Sequence, residues 1–178
     1  MGEFISGEAA RQRFRLLAAQ VDAAHAEMRQ LSSAEVGNEF RVEMVEQFET
    51  QQRVNRGLMY RFFGQIADPP DEPRMAPRMV NSLAARLRIT PGQVKARMKT
   101  AAKLAPRRQL CGPPLPPVLP YVAAALAGGQ IGEDHVTAIA NAIKTLPSNV
   151  SVTDRDEVEA SLVGEALKTD AEIVKKLA

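Results

Sequence analysis

Lys95, Lys99 and Lys103 recur every four residues, a spacing that lines one face of an α-helix with three ammonium groups. Ammonium groups in a row suit phosphate oxygens, because each neutralises one backbone charge and releases its counterion. The helix that must carry them has a strong start signal. Thr90 can cap it, Pro91 fits its first position, and Gln93 completes a Thr-x-x-Gln capping box. Val94, Met98 and Ala101 fall on a different face and are expected to pack inward. Ahead of it, Val80 to Leu87 is apolar-periodic and ends at a break, Arg88-Ile89. A short helix, a tight turn and a basic second helix are the ingredients of a helix-turn-helix. Its expected DNA-binding residues are Thr90, Gln93, Lys95, Arg97, Lys99 and Lys103. Gln93 and Lys95 lie near the N-terminal end, where base edges are reached; Arg97, Lys99 and Lys103 suit phosphates. The alternative for these residues is an ordinary helical hairpin with a solvated lysine face.

No other group of residues argues for catalysis. The two histidines, His25 and His135, are far apart, and both fall in expected helices. Glu133-Asp134-His135 opens one of those helices, where acidic residues are explained by the macrodipole. Gly128-Gly129 with Gly132 matches no phosphate-loop spacing and reads as a turn. The single cysteine, Cys111, excludes an internal disulfide and any zinc site built on paired cysteines. The expectation is therefore no catalytic residue, no cofactor, no metal and no enzyme activity.

Composition sets the elements that could position the lysine stripe. Hydrophobic residues are 45% of the 178 and charged residues 25%, enough for a buried core. Aromatics are only 4%, alanine is abundant and β-branched runs are absent, which favours helices over sheets. The fold class is expected to be all-α. The formal charge is only +2, so a nucleic-acid surface must be a local patch. No apolar run reaches the roughly 18 residues of a membrane span, and no signal peptide opens the chain. The chain reads as soluble and cytoplasmic, with no membrane partner.

Residues 1–6 read as a disordered or vector-derived start, and 7–67 as a long N-terminal helical hairpin. Its first helix runs from Gly7 to about Ser32 with an a/d seam of Phe14, Leu17, Val21, Ala24, Met28 and Leu31. Its second runs from about Asn38 to Ile66, with Phe40, Met44, Phe48, Leu58, Phe62 and Ile66 inward and Gly57 a weak point. A homodimer through the first seam is an alternative to the hairpin. Asp68 to Pro73 is a proline break. The helix-turn-helix-like segment occupies 76–105, and 106–117 is a proline-rich linker, expected to run extended across the surface. A linker suits Pro113-Pro114-Leu115-Pro116-Pro117 better than an SH3-type ligand does. The region 118–178 holds a run of short helices. One ends at Gly128-Gly129, and one carries Val136, Ile139, Ala140 and Ile143 inward. Two more are capped by Thr153 and by Thr169 with Glu172. The last, with its stripe Ile173, Val174 and Leu177, is still running at the end, so the region reads as truncated from something longer.

Leu83-Ala84, Leu87, Ile89 and Val94-Lys95-Ala96-Arg97 resemble the helix-turn-helix of the promoter-reading region of sigma factors. Arg88 stands where that motif has a turn glycine, a position that often wants positive φ at a cost of about 1 kcal/mol. Over a longer span, the run from Leu83 to Leu104 is followed by Gly112-Pro113-Pro114-Leu115-Pro116-Pro117, then Ala123 to Gly132, and His135-Val136. That order is similar to the 13E12 repeat family, as are Ile139-Ala140, Leu146-Pro147 and Glu159-Ala160-Ser161-Leu162-Val163. The likeness covers Val80 to Ala178 well and the N-terminal hairpin loosely. Longer members of that family resemble HNH endonucleases at their C-terminus. The paired cysteines and metal-binding histidines such a nuclease needs are not found here. The resemblance implies a non-catalytic, DNA-binding helical region of an HNH-endonuclease-associated protein. The alternative is a helical protein-interaction or dimerisation scaffold without nucleic-acid binding.

Overall fold

A computed structural model of the chain describes residues 7–69, 78–109 and 111–177. Among them the fold is all-helical, as expected, with helices and no strand. In chain order they are α1 (Gly7–Met28), α2 (Gly37–Ala67), α3 (Met79–Leu87), α4 (Pro91–Leu104), α5 (Pro120–Ala127), α6 (Glu133–Thr145), α7 (Val152–Ala166) and α8 (Ala171–Leu177). The start at 1–6 and most of the proline break lie outside the described residues. Two compact units divide the chain, one up to Val45 and one from Glu46 onward.

In the first unit, α1 buries none of its residues. Leu17 and Val21 of its seam stay largely exposed, and the helix stops at Met28 rather than near Ser32. Arg41 organises the turn that follows. Its guanidinium donates to the carbonyls of Ser33 and Ala34 at 2.8 and 2.9 Å and to Asn38 Oδ1 at 2.7 Å. Phe40, expected inward, is exposed and Met44 half-buried.

The second unit begins within α2, which continues through Gly57 without a break. Its buried residues are Tyr60 and Phe63, while Phe48, Leu58 and Phe62 are 44%, 46% and 43% exposed and Ile66 is half-buried. The expected inward face was therefore rotated, and the reason is backbone approach. Gly57, Tyr60 and Gly64 share a face at helical spacing. A Cβ on Gly57 would stand 3.1 Å from Ala127 Cα, and one on Gly64 would collide with Ala105 Cβ. Glycine lets the ends of α5 and α4 sit against α2, and that contact selects which aromatics are buried.

Around this face the core gathers Val94 of α4, Val122 and Leu126 of α5, Ile131, Ile139 of α6 and Val174 of α8, all buried. Val136, Ile139 and Ala140 are inward as expected, with Ile143 packed at the edge. The linker after α4 is not extended. Arg107 and Leu115 exchange backbone hydrogen bonds at 2.9 Å, Arg107 Nε donates to Pro116 O at 2.8 Å, and Gly112 turns the chain at φ +99°. Leu119 N then donates to Lys103 O at 3.0 Å, so the loop closes on its own start and sets α5 beside the end of α4. Prolines here cannot supply N–H groups, but their carbonyls can accept, and the loop uses them so.

Two helix starts, those of α7 and α8, differ from the sequence expectation, and that of α5 draws on a distant side chain. Leu119 offers no cap to α5, and Pro120 stands at its first position. The buried carboxylate of Glu159 on α7 serves instead, accepting from Val122 N at 2.8 Å and from Tyr121 N. Ser151, not Thr153, caps α7, its Oγ accepting from Asp154 N at 3.1 Å. Asp170, not Thr169, starts α8, accepting from the N–H groups of Glu172 and Ile173 at 2.9 and 3.1 Å. Thr169 instead donates its hydroxyl proton back to Glu165 O at 3.0 Å. In α8, Val174 is fully buried while Ile173 and Leu177 remain exposed.

Candidate nucleic-acid interface

The α3–α4 junction follows from its sequence almost atom by atom. At the end of α3, Arg88 adopts φ 54°, ψ 42°, the left-handed conformation its place in the turn requires. Arg88 N donates to Ala85 O at 3.3 Å and Ile89 N to Ala84 O at 3.1 Å. These are the paired bonds of a Schellman motif, satisfying carbonyls that would otherwise be orphaned. Ile89 packs against the core. The capping box closes as read: Gln93 N donates to Thr90 Oγ1 at 3.1 Å, and Thr90 N to Gln93 Oε1 at 2.9 Å. Complete burial of Val94, worth roughly 1.5–3 kcal/mol, together with that of Ala101, fixes how α4 is rotated.

That rotation sorts the six expected DNA-binding residues. Lys95 and Lys99 are exposed, beside exposed Ala96. Thr90 and Gln93 are exposed too, but both side chains are engaged in the cap; Gln93 keeps its amide Nε2 as a donor. Arg97 leaves the group. It is half-buried and faces α2, with Nη1 4.0 Å from Met59 Sδ and its charge acting on Tyr60. Two residues from Lys95 is about 200° around a helix, so it cannot share the stripe. Lys103 is half-buried. Burial, then the charge of Lys99, then that of Lys144 hold its ammonium below the ordinary lysine value. Lys144, on α6, was not singled out by sequence. Its only linear signal is a basic residue in a last helical turn, which the macrodipole already explains.

The residues weighed for other chemistry are held by the fold. His135 Nδ1 accepts from Gly132 N at 3.4 Å, and its Nε2 donates to Thr169 O at 2.9 Å, tying the start of α6 to the start of α8. Glu133 accepts from the Tyr60 hydroxyl and pairs with Arg56 Nε at 2.9 Å. Burial first, then Glu133, push the Tyr60 hydroxyl well above the usual phenol range, so it stays a hydrogen-bond donor. Cys111 is exposed and free. Among the described residues no three His, Cys, Asp or Glu side chains gather as a metal site, and no helix is long and apolar enough to cross a membrane.

A family profile described as a domain of unknown function, DUF222, matches residues 42–178, and the 13E12 repeat is this same family. An uncharacterized protein of Mycobacterium tuberculosis (strain ATCC 25618 / H37Rv) is 39% identical over 101 residues, 57% of this chain and 22% of its own length. A second protein of that strain, also uncharacterized, is 34% identical over 138 residues, 78% of this chain and 31% of its own. An uncharacterized Mycobacterium bovis protein is 33% identical over 118 residues, 66% of this chain and 26% of its own. The chain thus spans between 22% and 31% of the length of these relatives. No solved structure matches it.

Proposed function

The chain belongs to the DUF222 family, and on that premise we propose that it is a non-catalytic, cytoplasmic DNA-binding region in which α4 enters the major groove. In a longer protein it would hold an attached module, such as the nuclease that longer family members resemble, against DNA. The observation that carries this reading is the α3–α4 pair. A short helix, a three-residue turn locked by two capping motifs, and a second helix present Gln93, Lys95, Ala96 and Lys99 to solvent. Lys95 and the free amide of Gln93 lie at the end that reaches base edges in helix-turn-helix proteins. Lys99 lies one turn further on and would contact phosphate.

The test is a duplex-binding titration at two salt concentrations. Lys99→Ala should weaken binding equally across sequences and lower the salt slope by about one, whereas Lys95→Ala should change the preference between sequences. Binding unaffected by both substitutions would place the DNA surface elsewhere. A second reading, a dimerisation scaffold, is favoured by the exposed Leu17 and Val21 of α1. Absence of any duplex binding at low salt, with a dimer seen by light scattering and lost in Leu17→Asp/Val21→Asp, would put that reading first.

A further inference from the structure

We infer that the groove between α4 and α6 is a binding site for the phosphodiester backbone of nucleic acid, an inference that rests on α4 being a DNA-contacting helix and extends the contact surface beyond it. The groove measures about 530 Å³ and is lined by Lys99, Thr100 and Lys103 of α4, Asn141 and Lys144 of α6 and Arg155 of α7. Four cations thus converge from three helices, the two of α4 lying some 40 residues or more before the others in the chain. No carboxylate lines the groove. Among the described residues, none of its three lysines has an ion-pair partner. Elsewhere on the same unit, Lys168 and Lys175 stand beside Glu165 and Glu172 at helical spacing.

Such a cluster works against the fold. Lys103 is half-buried among apolar neighbours and feels the charges of Lys99 and Lys144. The macrodipole accounts for Lys144 at the end of α6, but not for three lysines facing one space. An anion in the groove would remove the repulsion and satisfy Asn141, whose side chain lies one turn before Lys144. Arg155 is already set in place: Nη2 donates to Pro147 O at 2.8 Å and Nε to Val150 O at 3.3 Å, and Nη1 takes part in neither bond. A fixed guanidinium loses little freedom when it meets a phosphate.

Charge on the far side of α6 gives the groove a direction. There α6 faces α8, and the surface carries three carboxylates, Asp134, Asp170 and Glu172, against one cation, Lys175. A polyanion is repelled from that flank and drawn to the α4 flank. Lys99 belongs both to the groove and to the exposed stripe with Lys95, so the cationic surface continues from the groove onto the outer face of α4. That continuity favours an extended strand over a small anion.

The test uses Lys144→Ala, which lies off the proposed recognition helix and is exposed, with Lys168→Ala as a control of equal charge. Two unrelated duplexes are titrated by fluorescence anisotropy across a salt series, and tripolyphosphate is titrated by calorimetry. The expected result is weaker binding of Lys144→Ala to both duplexes by one common factor, with a salt slope lower by about one and Lys168→Ala unchanged. If Lys144→Ala binds like wild type while Lys95→Ala does not, the groove is overturned and the α4 reading stands. If wild type binds neither duplex, both fall. If Lys144→Ala loses tripolyphosphate but keeps full duplex affinity, the groove serves a small polyanion and the phosphodiester assignment is wrong.

Discussion

Removing the carboxylate of Glu159 should be among the costliest single changes in this fold, although nothing within its own helix accounts for a charge there. Glu159 is 1% exposed, and its Oε1 accepts from Val122 N at 2.8 Å. A helix start leaves up to four N–H groups without partners. In α5 the first belongs to Pro120 and does not exist, so the carboxylate takes the next two, those of Tyr121 and Val122. Glu159→Ala strands the N–H of fully buried Val122 at about 1–3 kcal/mol, takes the acceptor from that of half-exposed Tyr121, and leaves a cavity. Removal of a buried charge offsets part of that, because burial first, with the nearby charge of Asp156, holds the Glu159 carboxyl above its ordinary value despite the two N–H donors that lower it. The expected net loss is about 2–4 kcal/mol, or about 5–15 °C in Tm for a chain of this size. Glu159→Gln keeps one acceptor oxygen and the volume and should lose less than half as much. Urea and thermal unfolding followed by circular dichroism at pH 7 measure both, with m expected unchanged. A raised folded-state pKa stabilises fully below the unfolded value and is lost as pH rises through the folded one. Wild type should therefore lose stability from about pH 4.5 upward relative to Glu159→Gln. An Ala variant as stable as wild type, or a pH-independent gap between wild type and Gln, would refute the reasoning.

Two backbone positions give further tests. Arg88 is the only non-glycine residue with positive φ among the described residues, so Arg88→Gly should relieve about 1 kcal/mol of strain and raise Tm by about 2–4 °C; a fall would mean the arginine side chain stabilises the turn. Gly64→Ala should cost about 1–3 kcal/mol through collision with Ala105, whereas Gly164→Ala in α7, with open space around it, should gain about 0.5–1 kcal/mol. Equal effects at the two glycines in thermal unfolding would discredit the close approach of α2 to the end of α4.

The start of α4 translated directly into structure because its partners are neighbours, whereas at α7 and α8 the nearby Ser151 and Asp170 took the places expected of Thr153 and Thr169. Thr90, Pro91 and Gln93 specify the start of α4 because every group in a capping box lies within four residues. The inward positions of α6 follow from one helix's period. The buried face of α2 was not legible in that way. Its large apolar side chains Phe48, Leu58 and Phe62 outweigh Tyr60 and Phe63 in any count of hydrophobicity. The choice is made by Gly57 and Gly64, whose meaning depends on Ala127 and Ala105 arriving from elsewhere. The start of α5 is hidden for the same reason. Its cap is a side chain 37 residues away, so Leu119-Pro120 looks uncapped when read alone.

The candidate interface divides along the same line. A stripe at i, i+4, i+8 identifies Lys95, Lys99 and Lys103 without any tertiary knowledge, because helix geometry alone places them. Arg97 belongs to the same basic segment but not to the same face, and burial of Val94 turns it toward Met59. Lys144 is the converse case. Nothing near it in the chain distinguishes it from a lysine that merely favours a helix C-terminus. It joins Lys103 only because the loop 106–119 folds back on itself. With Leu119 N bound to Lys103 O, α5 starts beside the end of α4, and α6 returns along the lysine face. The prolines of that loop thus do more than separate two helical regions. Their carbonyls serve its closure, Pro116 O accepting from Arg107 Nε, and the closed loop brings the start of α5 back to Lys103, the residue that the groove shares with Lys144.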